Sequence, residues 1–158
     1  MISPLLANYL RENHDEVMRR WLENLHGHIA EDFEQMLKTP MGSGVANKLL
    51  GCAIEFLEAE DYRKAEALHS VRDIASDASF RRTAVGFCLP DIVTTALAFR
   101  AAMQETLLFH AIHRDIEDEK AIVEGIMALN QFGDVLVAGE IAGYFSYNDF
   151  RETDEEVA

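Results

Sequence analysis

The side chains best suited to chemistry in this sequence are carboxylate–imidazole pairs that lie one helical turn apart. Glu23 precedes His26 by three residues, and Glu66 precedes His69 by the same spacing. Helical bundles hold dinuclear iron or manganese with such pairs, together with an inward glutamate from each of two further helices. Because Glu23 and Glu66 stand among polar neighbours, we interpret both pairs as solvated and expect no metal site.

Haem ligation is the second chemistry to weigh in a helical chain of globin length. It would require a histidine on an apolar helix face, and the best-placed histidines are His69 and His110. His69 lies in a polar stretch, whereas His110 follows Phe109 near the end of an apolar helix, where an imidazolium is favoured by the helix dipole. We therefore expect no haem and no other cofactor.

Covalent catalysis has no recognisable machinery in the sequence. There is no G-x-S-x-G motif and no glycine-rich phosphate loop that follows a strand. Cys52 and Cys88 lie outside any C-x-x-C or Cys/His spacing, and we expect both thiols to be reduced and at least partly buried. The sequence thus predicts no catalytic residue, and we expect the protein not to be an enzyme.

Charge and composition narrow the range of partners. The chain has 158 residues, with 14 Lys and Arg against 28 Asp and Glu, and a formal net charge of −14. The acidic residues are spread over both halves, so the field repels phosphate backbones and disfavours nucleic-acid binding. The N-terminus lacks the pattern of a secretory signal, and charged and amide side chains interrupt the most apolar stretch, Ile122 to Tyr144. We expect a cytoplasmic protein that does not enter a membrane.

Every strong hydrophobic period in the chain is helical, and no sustained alternation of period two occurs. The sequence predicts an all-α fold, with one helical domain over residues 1–150 and a frayed acidic tail over residues 151–158. The predicted helix boundaries are a cap at Ser3 with Pro4, a capping box from Asn13 to Glu16, a break at Gly27, a loop over residues 39–44 and a restart at Pro90.

Large, adaptable side chains on the apolar helices make a ligand pocket one interpretation of the core. The pocket candidates are Phe87, Phe99, Met103 and Phe109, and ordinary core packing is the other interpretation of the same residues. Arg100 belongs to this set because it points toward an otherwise apolar side. There it would meet a carboxylate, either that of a ligand or that of an internal Asp or Glu.

The last helix, predicted from about Asp115 to Tyr147, carries the strongest indication of association. Four of its residues are glycines, each of which costs about 1 kcal/mol relative to alanine in a helix interior, so a partner helix is expected to approach closely. That approach is either a seam between two copies or tight packing within one subunit. We expect a homodimer, whose interface candidates are Gly133, Val137, Ile141 and Tyr144.

Two segments of the chain resemble a known family. Residues 10–25 read LRENHDEVMRRWLENL, and residues 81–100 read RRTAVGFCLPDIVTTALAFR, a glycine–aromatic–x–Leu–x–Asp–x–Val run that leads to Arg100. Together they resemble the N-terminal domain of RsbR-type stressosome proteins, which also precedes some bacterial sensor histidine kinases. The resemblance extends over roughly residues 5–147. Pro90 within the usual helix start and the glycine-rich residues 40–44 depart from it.

This resemblance implies a globin-like helical fold without haem. Domains of this family are dimeric input modules for stress signalling that pass a signal along the final helix to an effector, and some related domains hold apolar ligands. On that basis we expect a non-enzymatic sensor domain. Its expected partners are a second copy, a downstream effector domain or stress-signalling protein, and an apolar small ligand. A haem- or apolar-ligand-binding globin-type sensor is the alternative.

Overall fold

Residues 4–113 and 119–157 are described by the structure, a computed structural model, and within these ranges the chain forms seven α-helices and no strand. The all-α prediction is thereby confirmed. The helices are α1 (Pro4–Glu12), α2 (His14–Leu25), α3 (Glu31–Lys38), α4 (Pro40–Glu58), α5 (Asp61–Ala84), α6 (Leu89–His113) and α7 (Glu119–Val157).

Glycine and proline set several of the boundaries between these helices. Gly27 lies between α2 and α3 with a φ of 82°, and Gly86 lies between α5 and α6 with a φ of 111°, conformations that side-chain-bearing residues rarely adopt. Pro90 stands in the first turn of α6, where its missing N–H costs nothing. The predicted break at Gly27 and restart at Pro90 are confirmed, whereas the predicted cap at Ser3 lies outside the described residues.

The capping box predicted from Asn13 to Glu16 does not form. Asn13 does precede α2, but its side chain makes no capping hydrogen bond to that helix. Instead its Nδ2 donates to the carbonyl oxygen of Tyr9 at 2.8 Å and closes the end of α1. The Glu16 carboxylate lies 2.7 Å from His110 Nε2 on α6, so a tertiary hydrogen bond engages the group that the box required.

The loop predicted over residues 39–44 is wrong, because these residues begin α4. Thr39 is its N-cap, with Oγ1 accepting a hydrogen bond from the backbone N–H of Gly42 at 3.3 Å, and Pro40 follows at the first helical position. A Cβ at Gly42 would stand 2.6 Å from the carbonyl oxygen of Met36. This glycine therefore permits close contact between α3 and α4.

The C-terminal tail was predicted to fray from residue 151, and this prediction is also wrong, because α7 continues to Val157. The Phe80 ring packs edge-on against Tyr147 at 5.4 Å and Phe150 at 5.9 Å between centroids. These contacts dock α7 beyond the predicted end, so the following residues only extend a helix that is already formed. The predicted start near Asp115 lies outside the described residues.

The long helix α7 runs parallel to α5 and antiparallel to α6. Along α6, Arg100 reaches Asp134 and Gln104 reaches Asn130, so residue numbers rise on one helix as they fall on the other. Along α5, the order is the same on both helices, with Phe80 beside Tyr147 and earlier residues of α5 beside the glycines of α7. Phe132 of α7 also meets Phe56 of α4, with ring centroids 6.1 Å apart.

Two glycines bring the backbones of α5 and α7 into contact. A Cβ at Gly139 would stand 2.8 Å from the carbonyl oxygen of Arg72, and one at Gly143 would stand 2.2 Å from that of Ser76. Of the two explanations that the sequence left open for these glycines, the structure shows packing within one subunit. Gly133 also allows close packing within the subunit, because the Arg100 side chain of α6 lies over it.

Candidate functional site

A buried ion pair joins the end of α5 to the middle of α7. Arg82 Nη1 donates to Glu140 Oε1 at 3.0 Å, and the two side chains are only 11% and 2% exposed. Ser79, one turn before Arg82, donates its hydroxyl to the Glu140 backbone oxygen. This is the most deeply buried ion pair among the described residues, and such pairs are costly to desolvate.

The second oxygen of this carboxylate is left without a partner. Glu140 Oε2 is buried and accepts no hydrogen bond in the described part of the chain. It borders a void of about 10 Å³, enough for about one water molecule, whose wall includes Trp21, Thr95 and Phe99. Arg82 and Glu140 are the only charged side chains in that wall.

Burial dominates the electrostatics of Glu140. Desolvation raises the pKa of its carboxyl from 4.5 to about 7, although the charge and the hydrogen bond of Arg82 act to lower it. A single guanidinium contact therefore does not offset the loss of solvent around the ionised form. A pKa of about 7 places the protonation change of this carboxyl near neutral pH.

Arg82 also lines an open apolar groove near the end of α5. The groove has a volume of about 240 Å³ and lies between α3, the start of α4 and the end of α5. Its walls are chiefly apolar and include Met36, Met41, Val85 and Phe87. The backbone carbonyl of Arg82 accepts hydrogen bonds from the N–H groups of Val85 and Phe87, so the same residue fixes part of the wall.

The five predicted pocket residues do not come together around one cavity. Phe87 lines the groove, Phe99 borders the small void, and Met103 is fully enclosed in the core. Phe109 is 43% exposed, with the Arg20 guanidinium 5.5 Å from its ring centroid. Arg100 pairs with a carboxylate of the same chain, that of Asp134, and the Nη1 and Oδ1 atoms are 3.4 Å apart.

Each of the histidines considered as a metal or haem ligand lies beside a carboxylate. His26 lies 3.1 Å from Glu34, and His69 lies 3.5 Å from Asp73 with 76% of its side chain exposed. His110 is half-buried, with Nε2 2.7 Å from Glu16. Within residues 4–113 and 119–157, no three His, Cys, Asp or Glu side chains cluster as metal ligands would.

The two cysteines differ in exposure. Cys52 is buried, as predicted, but Cys88 is exposed, so the expectation of a partly buried thiol there is wrong. Its backbone N–H and its thiol both donate to Asp91 Oδ2, at 3.1 and 3.0 Å, at the start of α6. The hydrogen bond to Asp91 raises the pKa of the Cys88 thiol, which makes it a weak nucleophile.

A surface of large apolar side chains lies along α6 and α7; we call it the outer face. Its members are between 40% and 64% exposed: Leu97, Leu108 and Ile112 on α6, and Val123 and Met127 on α7. Helical periodicity extends the α7 side of this face to Val137 and Ile141. Two polar links cross it, Gln104 to Asn130 and Arg100 to Asp134.

The predicted dimer-interface residues divide between the interior and the edge of this surface. Gly133 is buried, and so is Leu136 beside Val137, with 1% exposure. Val137, Ile141 and Tyr144 are half-buried. The predicted apolar stripe of α7 is thus chiefly the stripe that faces the core.

By length and composition, one described helix is apolar and long enough to cross a membrane: the part of α7 from Glu119 to Asp154. About a third of its most apolar window is buried within the chain. Core helices of soluble proteins satisfy the same criterion, so this is weak evidence for a span.

The sequence interpretation missed Arg82 and Glu140. Glu140 was treated only as an interruption of an apolar stretch, yet it lies four residues after Leu136 and three before Gly143, on the face that packs inward. An acidic residue in the apolar stripe of a helix predicts a buried partner, and that signal was available.

Comparisons with protein-family models, with curated proteins and with solved structures find no match to this chain.

Proposed function

We propose that this chain is a non-enzymatic input domain of a signalling protein, dimeric through the outer face of α6 and α7. The observation that carries the proposal is this face, on which five large apolar side chains are 40–64% exposed along two adjacent helices. Apolar surface gathered in this way is characteristic of an interaction site. The resemblance to RsbR-type domains adds two parts to the proposal. The helices are arranged as in a globin, and the domain is dimeric, as related input modules are.

A second copy of the chain is the partner that suits this face best. The chain carries a net charge of −14, so two copies repel each other wherever their acidic surfaces approach. Along the outer face the charged side chains occur in pairs of opposite sign, Arg100 with Asp134 and Lys120 with Glu124, so the face carries no net charge of its own. Each large side chain buried there contributes at most about 1.5–3 kcal/mol, and a two-fold pairing buries the same set on both copies.

The route from the interface to an effector is α7 itself. This helix has 39 residues, about 58 Å of helix, and its first half borders the outer face while its later part packs on α5. A two-fold axis through the outer face would place two copies of α7 side by side, so a change in the interface would reach both C-terminal ends together. From the resemblance to RsbR-type domains we also propose a downstream stress-signalling partner, and from the sequence a cytoplasmic setting.

Oligomeric state tests the proposal directly. Wild-type protein is expected to scatter light as a dimer at micromolar concentration, and Met127→Glu, which places a charge on the outer face, is expected to be monomeric. Met41→Glu is the matched control, because Met41 is 75% exposed on α4, away from that face, and Met127 is 64% exposed. A monomeric wild type, or a Met127→Glu protein that remains dimeric, would overturn the proposed interface.

A further inference from the structure

We infer that the groove between α3, α4 and α5 binds a small carboxylic acid with an apolar body, whose carboxylate takes Arg82 away from Glu140. The inference deepens the proposed function and rests on it only in supplying an input to the module. Binding itself can be measured on a monomer or a dimer.

The groove has the composition that an amphiphilic monoanion requires. Its volume of about 240 Å³ lies below the range of about 300–1,000 Å³ typical of drug-sized ligands, so the ligand must be small. Met36 and Met41 on one side supply flexible apolar contacts that can adapt to such a body. Phe87, stacked on Phe33 with centroids 4.1 Å apart, supplies a rigid floor.

Arg82 is the cation that recognises the anionic group. The other arginine in the groove wall, Arg81, is already paired with Asp77 at 3.3 Å on the exposed side of α5. Arg82 uses only Nη1 in its bond to Glu140, and it borders both the groove and the internal void. A guanidinium presents five donors in a planar fork, so a carboxylate in the groove has donors to bind.

Glu140 is a partner that can release Arg82. One of its two oxygens has no hydrogen bond, and it is fully desolvated, so the ionised form depends on Arg82 alone. Charged groups that face it come from α5 only, because the α2, α4 and α6 residues of the void wall are Trp21, Ala46, Leu49, Thr95, Ala96 and Phe99. When a ligand carboxylate engages Arg82, Glu140 takes a proton from solvent and stays buried as a neutral acid.

This exchange couples the groove to α7. Glu140 lies on α7 and Arg82 on α5, so replacing their ion pair by a ligand–Arg82 pair removes the one charged link between these two helices in the described ranges. The ligand thereby changes how α7 is held, without touching α7 itself. The coupling also has a chemical signature, the uptake of a proton on binding.

Calorimetric titration with 3-phenylpropanoate tests the inference, with 3-phenylpropan-1-ol as a neutral probe of the same shape. We expect the carboxylate to bind more tightly than the alcohol. In two buffers of different ionisation enthalpy, binding at pH 8 should show proton uptake. Above pH 7, affinity in the wild type should fall by up to tenfold for each pH unit, because Glu140 must first be protonated.

Glu140→Gln is the variant that separates this mechanism from simple apolar binding. It keeps the shape of the side chain but leaves Arg82 without an internal anion, so it should bind the carboxylate about tenfold more tightly than wild type at pH 8 and lose the pH dependence. Val85→Asp, at an exposed position of the groove wall, should abolish binding, and Tyr62→Asp, at an exposed position of α5 outside the wall, should not.

Three results would overturn the inference: equal affinity for the alcohol, an unchanged pH profile in Glu140→Gln, or no binding of the carboxylate at millimolar concentration. None of them bears on the dimer, whose test is light scattering of the unliganded chain. Conversely, a monomeric protein that binds the carboxylate with proton uptake would refute the proposed dimer and leave the groove as a ligand site.

Discussion

The burial of Glu140 makes a quantitative prediction about stability and pH. Its carboxyl has a pKa of about 7 in the folded chain, against 4.5 when solvated. Between these values the folded protein binds more protons than the unfolded one, so the free energy of unfolding falls as pH rises. Over this interval the loss is about 3 kcal/mol, at about 1.4 kcal/mol per pH unit.

Glu140→Gln removes this titration while keeping the volume of the side chain. The free energies of unfolding of wild type and variant can be measured by urea denaturation at several pH values between 4 and 8. The difference between them should change by about 3 kcal/mol over this range. The sign is fixed: relative to the variant, the wild type should lose stability as pH rises from 4.5 to 7 and change no further above pH 8. Trp21, the only tryptophan, borders the same void and reports the local transition by fluorescence.

A matched control is Asp134→Asn. Asp134 also pairs with an arginine, Arg100, but its side chain is 78% exposed, so this substitution should change the free energy of unfolding by less than about 1 kcal/mol. Parallel stability curves for wild type and Glu140→Gln would refute the reasoning. A wild type that gains stability over the variant as pH rises would show that Arg82 more than offsets the desolvation of the buried charge.

Two further predictions concern close packing and thiol reactivity. Gly143→Ala should lower the free energy of unfolding by about 1–3 kcal/mol, because its Cβ would meet the Ser76 backbone. Gly44→Ala on α4, where a Cβ meets nothing within 4 Å, should raise it by about 0.5–1 kcal/mol; calorimetric melting compares the two, and similar effects would contradict the packing argument. In the native protein Cys88 alone should react with a thiol reagent, and Asp91→Asn should speed that reaction at pH 8 because a neutral amide replaces the carboxylate whose hydrogen bond and charge raise the thiol pKa. A slower reaction in Asp91→Asn would count against the assigned cause.

The sequence predicted those parts of the fold that depend on local signals. Helical periodicity identified every helix, and Gly27 and Pro90 marked real boundaries because their backbone preferences do not depend on distant residues. At the start of α4 two local signals conflict: the glycines favour a loop, whereas Thr39 followed by Pro40 is a helix-start signal, and the helix forms. At Gly42 the reason for glycine is contact with α3, and only the folded chain displays that contact.

The candidate site was harder to predict, because it depends on which helices become neighbours. Arg82 and Glu140 are 58 residues apart, so the place of Glu140 in an apolar stripe indicates a buried partner but not which residue it is. Phe99 and Met103 were rightly seen as large apolar side chains, yet the core packs closely around them, and the sizeable groove lies instead beside α3. Helical periodicity predicts which face of a helix is apolar, but not whether that face is filled.

The two glycines of α7 that contact α5 also restrict how that helix can move. Gly139 and Gly143 each accommodate a stretch of α5 backbone, and they are four residues apart, close to one helical turn. An axial slide of α7 by one or two residues would bring a side chain into the α5 backbone, and a slide of about 6 Å, which seats one glycine at the position of the other, would bring Val135 or Tyr147 to the remaining contact. Displacements of α7 along its axis must therefore carry α5 with them. The parallel pair moves as one unit, and a sliding motion of α7 alone is blocked.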